Sequence, residues 1–178
     1  RCYSYLPSRT GNTLADRAAI HALNYIDPGY ARYTWLDRGS DERQYCAPGV
    51  DLPVATIMRS KYGEYPEYHT SLDDLELVTP SGLEGGYNVL RHAIEAIEIN
   101  VVPKVTVFGE PQLGRRGLYP TLSLKKEADQ TVRNLMNVVS YCDGKNTLLD
   151  IAELIDQPIW EVKTYVDKLL YHGLVKIT

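Results

Sequence analysis

Residues 158–178, PIWEVKTYVDKLLYHGLVKIT, decide the fold of the C-terminal third of this sequence. Their apolar side chains recur at helical spacing as far as Leu170, which predicts a helix that opens at Pro158. Gly173 predicts the end of that helix, and the alternating residues 174–177 predict a terminal strand. This third of the chain is therefore expected to be helix-rich.

Two further helices are predicted in front of this stretch. Residues 126–141 place four apolar side chains on one helical face, Val132, Leu135, Met136 and Val139. Thr147 is a suitable N-cap for a short helix that follows it. Helices joined by short turns and followed by a strand are the layout of the helix-turn-helix group. The sequence predicts a small winged-helix-like domain over residues 123–178.

Charge argues against a nucleic-acid partner for this domain. In the third helix Glu161 and Asp167 balance Lys163 and Lys168, and residues 125–178 contain seven Lys/Arg against eight Asp/Glu. Neutralisation of phosphates dominates the affinity of proteins for duplex DNA, and no surplus of positive charge is available here. We therefore expect a packing or interaction module that contacts another protein or a second copy of the chain.

The preceding residues alternate between strand and helix patterns. Strands are predicted at 2–6, 31–36 and 53–58, with helices at 13–26 and from Pro80 to about residue 100. The second helix has one apolar stripe, made of Leu83, Tyr87, Leu90, Ile94 and Ile97. This order predicts an α/β sheet flanked by helices over residues 1–122, with the Pro- and Gly-rich residues 100–122 as an ordered strap along it.

Composition narrows the class and location of the protein. The 178 residues have a net charge of −4 and 44% apolar residues, as expected for a soluble globular protein. The three cysteines form no Cys-x-x-Cys pair, and the sequence has neither a signal-peptide pattern nor a long apolar run. We expect a cytoplasmic protein without a membrane partner. Because the chain starts at Arg1 rather than Met, we also expect it to be the tail of a longer protein.

Two segments have side chains suited to chemistry, SDERQYCAPG at 40–49 and EYPEYHTSLDDL at 64–75. His69 could be a metal ligand whose second ring nitrogen is held by Asp73 or a backbone carbonyl, or a loop histidine with a structural hydrogen bond. Asp41 and Glu42, followed by Arg43, could form a solvated turn or hold a substrate amine in a cleft. Cys46 as a nucleophile would need a nearby base such as His69.

These segments resemble a known family. Ser40-Asp41, then residues 48–53, then Tyr68-His69-Thr70 with Asp73 resemble the end of the di-zinc aminopeptidase, or zinc exopeptidase, family. The resemblance is closest to a bacterial aminopeptidase-like branch linked with surface-polysaccharide genes, whose members also end in a winged-helix-like tail. The strings similar to that branch are SDERQYC at 40–46, EYHTS at 67–71, EPQLG at 110–114 and RGLY at 116–119.

The resemblance implies a partial zinc-exopeptidase-like sheet and a zinc-dependent hydrolase of peptide or related amide bonds. By position, His69 would be a zinc ligand and Tyr68 would direct its hydroxyl at the oxyanion. Asp41 would be an active-site carboxylate, Glu42 stands where the wider family often has His, and Asp73 would support the His69 loop.

The family's other ligands and its catalytic Glu have no match in residues 1–37. The resemblance therefore implies one or two zinc ions whose remaining ligands lie upstream, and a chain that is inactive by itself. A different class of function stays open, namely a non-catalytic peptide- or saccharide-binding protein whose winged-helix tail recruits another protein.

Overall fold

The structure is a computed structural model that describes residues 2–118 and 126–178, with only the backbone described for residues 126–129. The chain forms two compact units, Arg1–Ile97 and Glu98–Thr178. The end of the predicted strap, residues 119–122, lies outside the described residues. No helix within the described part of the chain is both long and apolar enough to span a membrane.

A mixed three-stranded sheet lies at the centre of the first unit. Its middle strand β1 (Ser4–Leu6) is parallel to β2 (Ala31–Arg32) and antiparallel to β3 (Thr56–Met58). The strands are short, and the sheet is smaller than the sheet that the sequence predicted. The buried core beside it draws on β1, on α1 (Leu14–Ile26) and on one later helix, with members Tyr3, Tyr5, Ala19, Ala22, Leu23, Tyr30, Val89 and Ala93.

The buried carboxylate of Asp16 ties the start of α1 to β1. Its Oδ1 accepts hydrogen bonds from the Tyr5 hydroxyl (2.7 Å) and the Ser8 amide (2.8 Å). Its Oδ2 accepts from the Ser8 hydroxyl (2.5 Å) and from the Thr13 amide (2.9 Å) and hydroxyl (2.6 Å). The Thr13 hydroxyl in turn accepts from the Asp16 amide, which completes a capping box. This network fixes the turn that follows β1.

The predicted strand at 31–36 is wrong beyond its second residue. After β2 the chain turns into a 3₁₀-helix, Trp35–Asp37. The carboxylate of Asp37 accepts hydrogen bonds from the amide and the hydroxyl of Thr34, each at 2.8 Å. This side-chain cap competes with strand pairing, as Asp and Thr side chains commonly do near turns.

The long helix α3 (Pro80–Glu98) has the predicted extent but does not bury the predicted stripe. The five apolar residues of that stripe are 40–66% exposed: Leu83, Tyr87, Leu90, Ile94 and Ile97. The helix instead packs through its small residues Val89, Ala93 and Ala96. The apolar stripe that the sequence predicts is therefore mostly exposed, and the short side chains on another face of the helix are the buried ones.

This packing leads to a test with two neighbouring residues of α3. We expect Val89→Ala to destabilise the first unit by about 2 kcal/mol, because Val89 is fully buried. Leu90→Ala should change stability by less than about 0.5 kcal/mol, because Leu90 is 45% exposed. Urea unfolding of the two variants, monitored by amide hydrogen exchange in α1, measures both changes in stability. Equal losses for the two variants would contradict the observed orientation of the helix.

The second unit has the three predicted helices. They are α4 (Lys126–Tyr141), α5 (Leu148–Leu154) and α6 (Ile159–Tyr171). Thr147 caps α5 with its hydroxyl, and Gly173, at φ +66°, lets the chain leave α6 for β5 (Val175–Ile177). The core is built from the buried apolar faces of all three helices, including Leu135, Val138, Leu148, Leu149, Ile151, Ile159, Val162, Val166 and Leu169.

The strap residues contribute a strand to this unit. Pro103–Val105 forms β4, which pairs antiparallel with β5. The two compact units thus divide at 97/98, whereas the sequence placed the domain boundary at 122/123. The difference arises because β4 finds its partner at the far end of the chain, a pairing that no local pattern encodes.

Candidate functional site

Unusual backbone conformations occur within or directly after the two segments singled out in the sequence. Four non-glycine residues in the described part of the chain have positive φ, and three of them are Ser40 (+42°), Asp51 (+50°) and His69 (+60°). Such conformations cost free energy and persist only where the surroundings hold them. Because they cluster at binding and catalytic sites more often than elsewhere, they mark these loops as the candidate site.

Tyr68 and His69 form a stacked aromatic pair. Their ring centroids are 3.9 Å apart and the ring planes differ by only 17°. His69 is exposed, and no hydrogen bond to its imidazole is present among the described residues. The tyrosine face therefore sets the orientation of the ring, and the ring nitrogens are available to a metal ion or a substrate.

Asp41 and Glu42 have different surroundings. Glu42 opens α2 (Glu42–Tyr45) and is only 7% exposed. Its Oε1 accepts a hydrogen bond from Thr56 in β3 at 2.9 Å, whereas its Oε2 is buried without a hydrogen-bond partner in the described structure. A buried carboxylate oxygen with no partner is costly and calls for a ligand or an ion. Asp41 is exposed, and its side chain does not cap the helix.

A residue that the sequence analysis did not single out, Tyr62, lies between the two loops. Its hydroxyl accepts a hydrogen bond from the Gly39 amide at 2.5 Å, and its ring centroid is 6.3 Å from that of Tyr68. Burial raises the pKa of the Tyr62 phenol, and the charge of Glu42 raises it further. The only signal in the sequence is the high tyrosine content around residues 62–68, which does not distinguish one tyrosine from another.

The roles predicted for Asp73 and Cys46 can be compared with the contacts of their side chains. Asp73 is exposed, and its amide donates to the Thr70 carbonyl at 3.2 Å, but its carboxylate makes no hydrogen bond to His69. Cys46 is fully buried, and its thiol donates to the Leu52 carbonyl at 3.1 Å. The thiol is part of the packing beneath the loop, so the geometry favours a structural Cys46 over a nucleophile.

The loop that contains Asp51 is held by an arginine from the turn after β1. Arg9 donates to both carboxylate oxygens of Asp51, at 2.7 and 2.5 Å. This bidentate pair lowers the pKa of the Asp51 carboxyl through its hydrogen bond. The network around Asp16 fixes the same turn, so the core of the unit positions this part of the site.

An open cleft of about 730 Å³ lies beside the His69 loop. Residues on both sides of Tyr68-His69 line it, including Tyr65, Glu67, Leu72 and Asp73. Further along, the lining continues into the start of α3, with Arg59 as a basic residue of the wall. The volume lies within the range of small-molecule sites, and the mixture of carboxylates and leucines suits a ligand that is partly polar.

The described residues do not complete a metal site. No group of three or more His, Cys, Asp or Glu side chains in residues 2–118 and 130–178 is arranged to hold a metal ion. A hydrolytic zinc requires three protein ligands and an open position. His69 and the unpartnered oxygen of Glu42 are donors that zinc accepts, but the described side chains alone do not supply the set.

Two proteins whose names refer to a peptidase or an aminopeptidase-like domain are similar to nearly the whole chain. The chain is 33% identical over 98% of its length to a Clostridium acetobutylicum protein named, provisionally, for polysaccharide biosynthesis and an aminopeptidase-like domain. A crystal structure from the same organism, provisionally named a peptidase, matches 99% of the chain with a TM-score of 0.86 at 31% identity. The chain spans only about 40% of the length of these relatives.

Family models match both parts of the chain. The model for a winged helix-turn-helix matches residues 101–177, in agreement with the helices and strands of the second unit. The model described as "Domain of unknown function (DUF4910)" matches residues 1–100, which is more than half of the chain and contains both candidate loops. The chain belongs to this DUF4910 family and ends in a winged helix-turn-helix domain.

Proposed function

We propose that this chain forms the C-terminal part of a zinc-dependent, aminopeptidase-like hydrolase that cleaves peptide or related amide bonds. The observation that carries the proposal is the Tyr68–His69 pair. A histidine in a left-handed backbone conformation has an unbonded ring stacked on a tyrosine, in a loop whose neighbouring residues, Glu67 and Leu72, line a large cleft. The aminopeptidase-like and peptidase names of relatives that are 31–33% identical support the same function.

Each of the five predicted site residues has a role in this proposal. The His69 imidazole is a metal ligand, and the Tyr68 hydroxyl donates a hydrogen bond to the substrate carbonyl oxygen as that oxygen gains negative charge. Glu42 offers its unpartnered oxygen to the metal site or to a substrate donor, and Asp41 supplies negative charge at the mouth of the site. Asp73 supports the turn that presents His69.

Zinc would supply the polarisation of the scissile carbonyl and the activation of water in such an enzyme. Because the described residues contain no set of three ligands, the remaining ligands are proposed to belong to the part of the longer protein that this chain does not include. One or two ions fit the proposal. The polysaccharide name of the relative supports an amide on a modified sugar as an alternative to a peptide substrate.

The winged-helix domain is proposed to bind a protein, or a second copy of the chain, rather than a nucleic acid. Lys163 in α6 is paired with Asp167 at 2.7 Å, and Lys168 and Glu161 balance each other in charge. A helix without net charge does not neutralise phosphates. The three free cysteines are consistent with the proposed cytoplasmic location.

A second candidate function is compatible with the same described residues. A peptidase-like fold that has lost its metal would bind peptides or saccharides in the cleft without cleaving them, while its tail recruits a partner. The two candidates share the cleft and the tail, and they differ in catalysis.

An activity assay on the longer protein distinguishes them. The proposal expects release of the N-terminal residue from aminoacyl-arylamides, or of the acyl group from acetamido sugars. A chelator should abolish this release, and added zinc should restore it. A protein that binds these compounds without turnover, with or without zinc, would establish the binding function instead.

A further inference from the structure

We propose that Tyr62 is the positioning residue of this site, and that it holds the Gly39–Glu42 segment and the Tyr68–His69 pair in a fixed relation. The inference rests on the proposed function for the roles of Tyr68 and His69. The contacts of Tyr62 from which it is argued do not depend on catalysis.

The Tyr62 hydroxyl acts on the first loop. It accepts the hydrogen bond of the Gly39 amide, directly before Ser40 with its φ of +42°. A Cβ atom at position 39 would be only 2.9 Å from Cε2 of the Tyr62 ring. The close approach therefore requires glycine, and the strained turn that leads to Asp41 and Glu42 begins at this contact.

The Tyr62 ring acts on the second loop. It lies 6.3 Å from the Tyr68 ring, and Tyr65 meets Tyr68 edge-on at 5.6 Å. Tyr68 in turn stacks on His69 at 3.9 Å. Since no hydrogen bond holds the His69 ring in the described structure, its direction depends on Tyr68, whose ring is supported by Tyr62 and Tyr65. Metal ligands need such support, because ring orientation decides which nitrogen faces the ion.

Tyr62 thus contacts both loops, Gly39 through its hydroxyl and Tyr68 through its ring. A second contact holds the main chain of Tyr62. The side-chain ammonium of Lys61, which is buried, donates a hydrogen bond to the Tyr62 carbonyl at 3.1 Å. A tyrosine anchored in this way can transmit a displacement of one loop to the other.

Nuclear magnetic resonance of the 178-residue chain tests the inference without metal or substrate. Protons above an aromatic face are shifted upfield, so the His69 Cε1 proton reports its stacking on Tyr68. His69→Ala identifies the signal, and Tyr68→Leu gives its position without stacking. We expect Tyr62→Phe to lose part of the upfield shift, because the ring beside Tyr68 is no longer anchored by the hydrogen bond between its hydroxyl and the Gly39 amide. Gly39→Ala should act in the same direction, because the new Cβ displaces the ring.

The matched control is Tyr87→Phe on the exposed face of α3, which should leave the His69 signal unchanged. An unchanged His69 signal in folded Tyr62→Phe and Gly39→Ala proteins overturns the inference. A loss of shift that merely follows a lower melting temperature of the first unit would also overturn it, since that is a structural effect. If the assay of the longer protein detects neither zinc dependence nor turnover while the signal responds as expected, the proposed function fails and the positioning role of Tyr62 stands.

Discussion

Asp16→Asn is expected to destabilise the first unit by about 4 kcal/mol. The carboxylate is fully buried and accepts hydrogen bonds from Tyr5, Ser8 and Thr13. An amide replaces one accepting oxygen with a donor, so at least two buried donors lose their partner, at about 1–3 kcal/mol each. Urea unfolding at neutral pH, followed in α1 by hydrogen exchange, measures the loss.

The same carboxylate predicts a pH dependence. Burial by itself raises the pKa of the Asp16 carboxyl, but the hydrogen bonds from Ser8, Thr13 and Tyr5 outweigh it, and the pKa lies below its usual range. A lowered folded-state pKa means that the contribution to stability is complete above the unfolded-state pKa of about 3.9. It is lost as the pH falls through the folded-state pKa. The stability difference between the native sequence and Asp16→Asn should therefore be constant near neutral pH and shrink below about pH 4.

Asp37→Asn is the matched control for this substitution. Asp37 accepts from the amide and hydroxyl of Thr34, as Asp16 does from Thr13, but it is exposed to solvent. Its replacement should have a small effect, because water takes over the lost hydrogen bonds. Similar losses for the two variants would show that the cap, and not the buried network, is responsible.

His69→Ala and Tyr68→Phe are expected to have different effects on the longer protein. If His69 binds the metal, His69→Ala should lower the zinc affinity by more than about tenfold and abolish turnover. Tyr68→Phe keeps the stacked ring and removes the hydroxyl, so zinc content should be unchanged while kcat falls about 10²- to 10³-fold. Elemental mass spectrometry of the purified proteins and steady-state kinetics give the two quantities.

His172→Ala serves as the control for the loss of a histidine. His172 lies at the end of α6, in the other unit, beside the ring of Tyr171. Its substitution should change neither zinc content nor kcat. Zinc content that is the same in His69→Ala and the native sequence would exclude His69 as a ligand and favour the non-catalytic binding protein.

Several helices were predictable because their signals are local. Thr13 and Thr147 were followed three residues later by Asp16 and Asp150, which form the observed capping boxes. Gly173 ended α6 where the pattern placed the stop. Each of these features depends on contacts within one or two helical turns, so a single sequence contains the information.

The candidate loops were predictable from residue type, but their geometry was not. The sequence pointed to Asp41, Glu42, Tyr68, His69 and Asp73 without indicating that Glu42 is buried and Asp41 exposed. The sequence offered Asp73 or a backbone carbonyl as support for the His69 ring, and it did not indicate that the ring stacks on Tyr68. Tyr62 was missed, because its importance comes from contacts with Gly39, 23 residues away, and with Tyr68.

The helices, their caps, the zero net charge of α6 and the two candidate segments follow from neighbouring residues, so they can be predicted from the chain alone. The pairing of β4 with β5 and the exposure of the apolar stripe of α3 are seen only in three dimensions. The same holds for the hydrogen bonds that Asp16 accepts from β1 and the turn after it. Strand pairing and the choice of a buried helix face depend on partners far along the chain, and periodicity alone does not identify those partners.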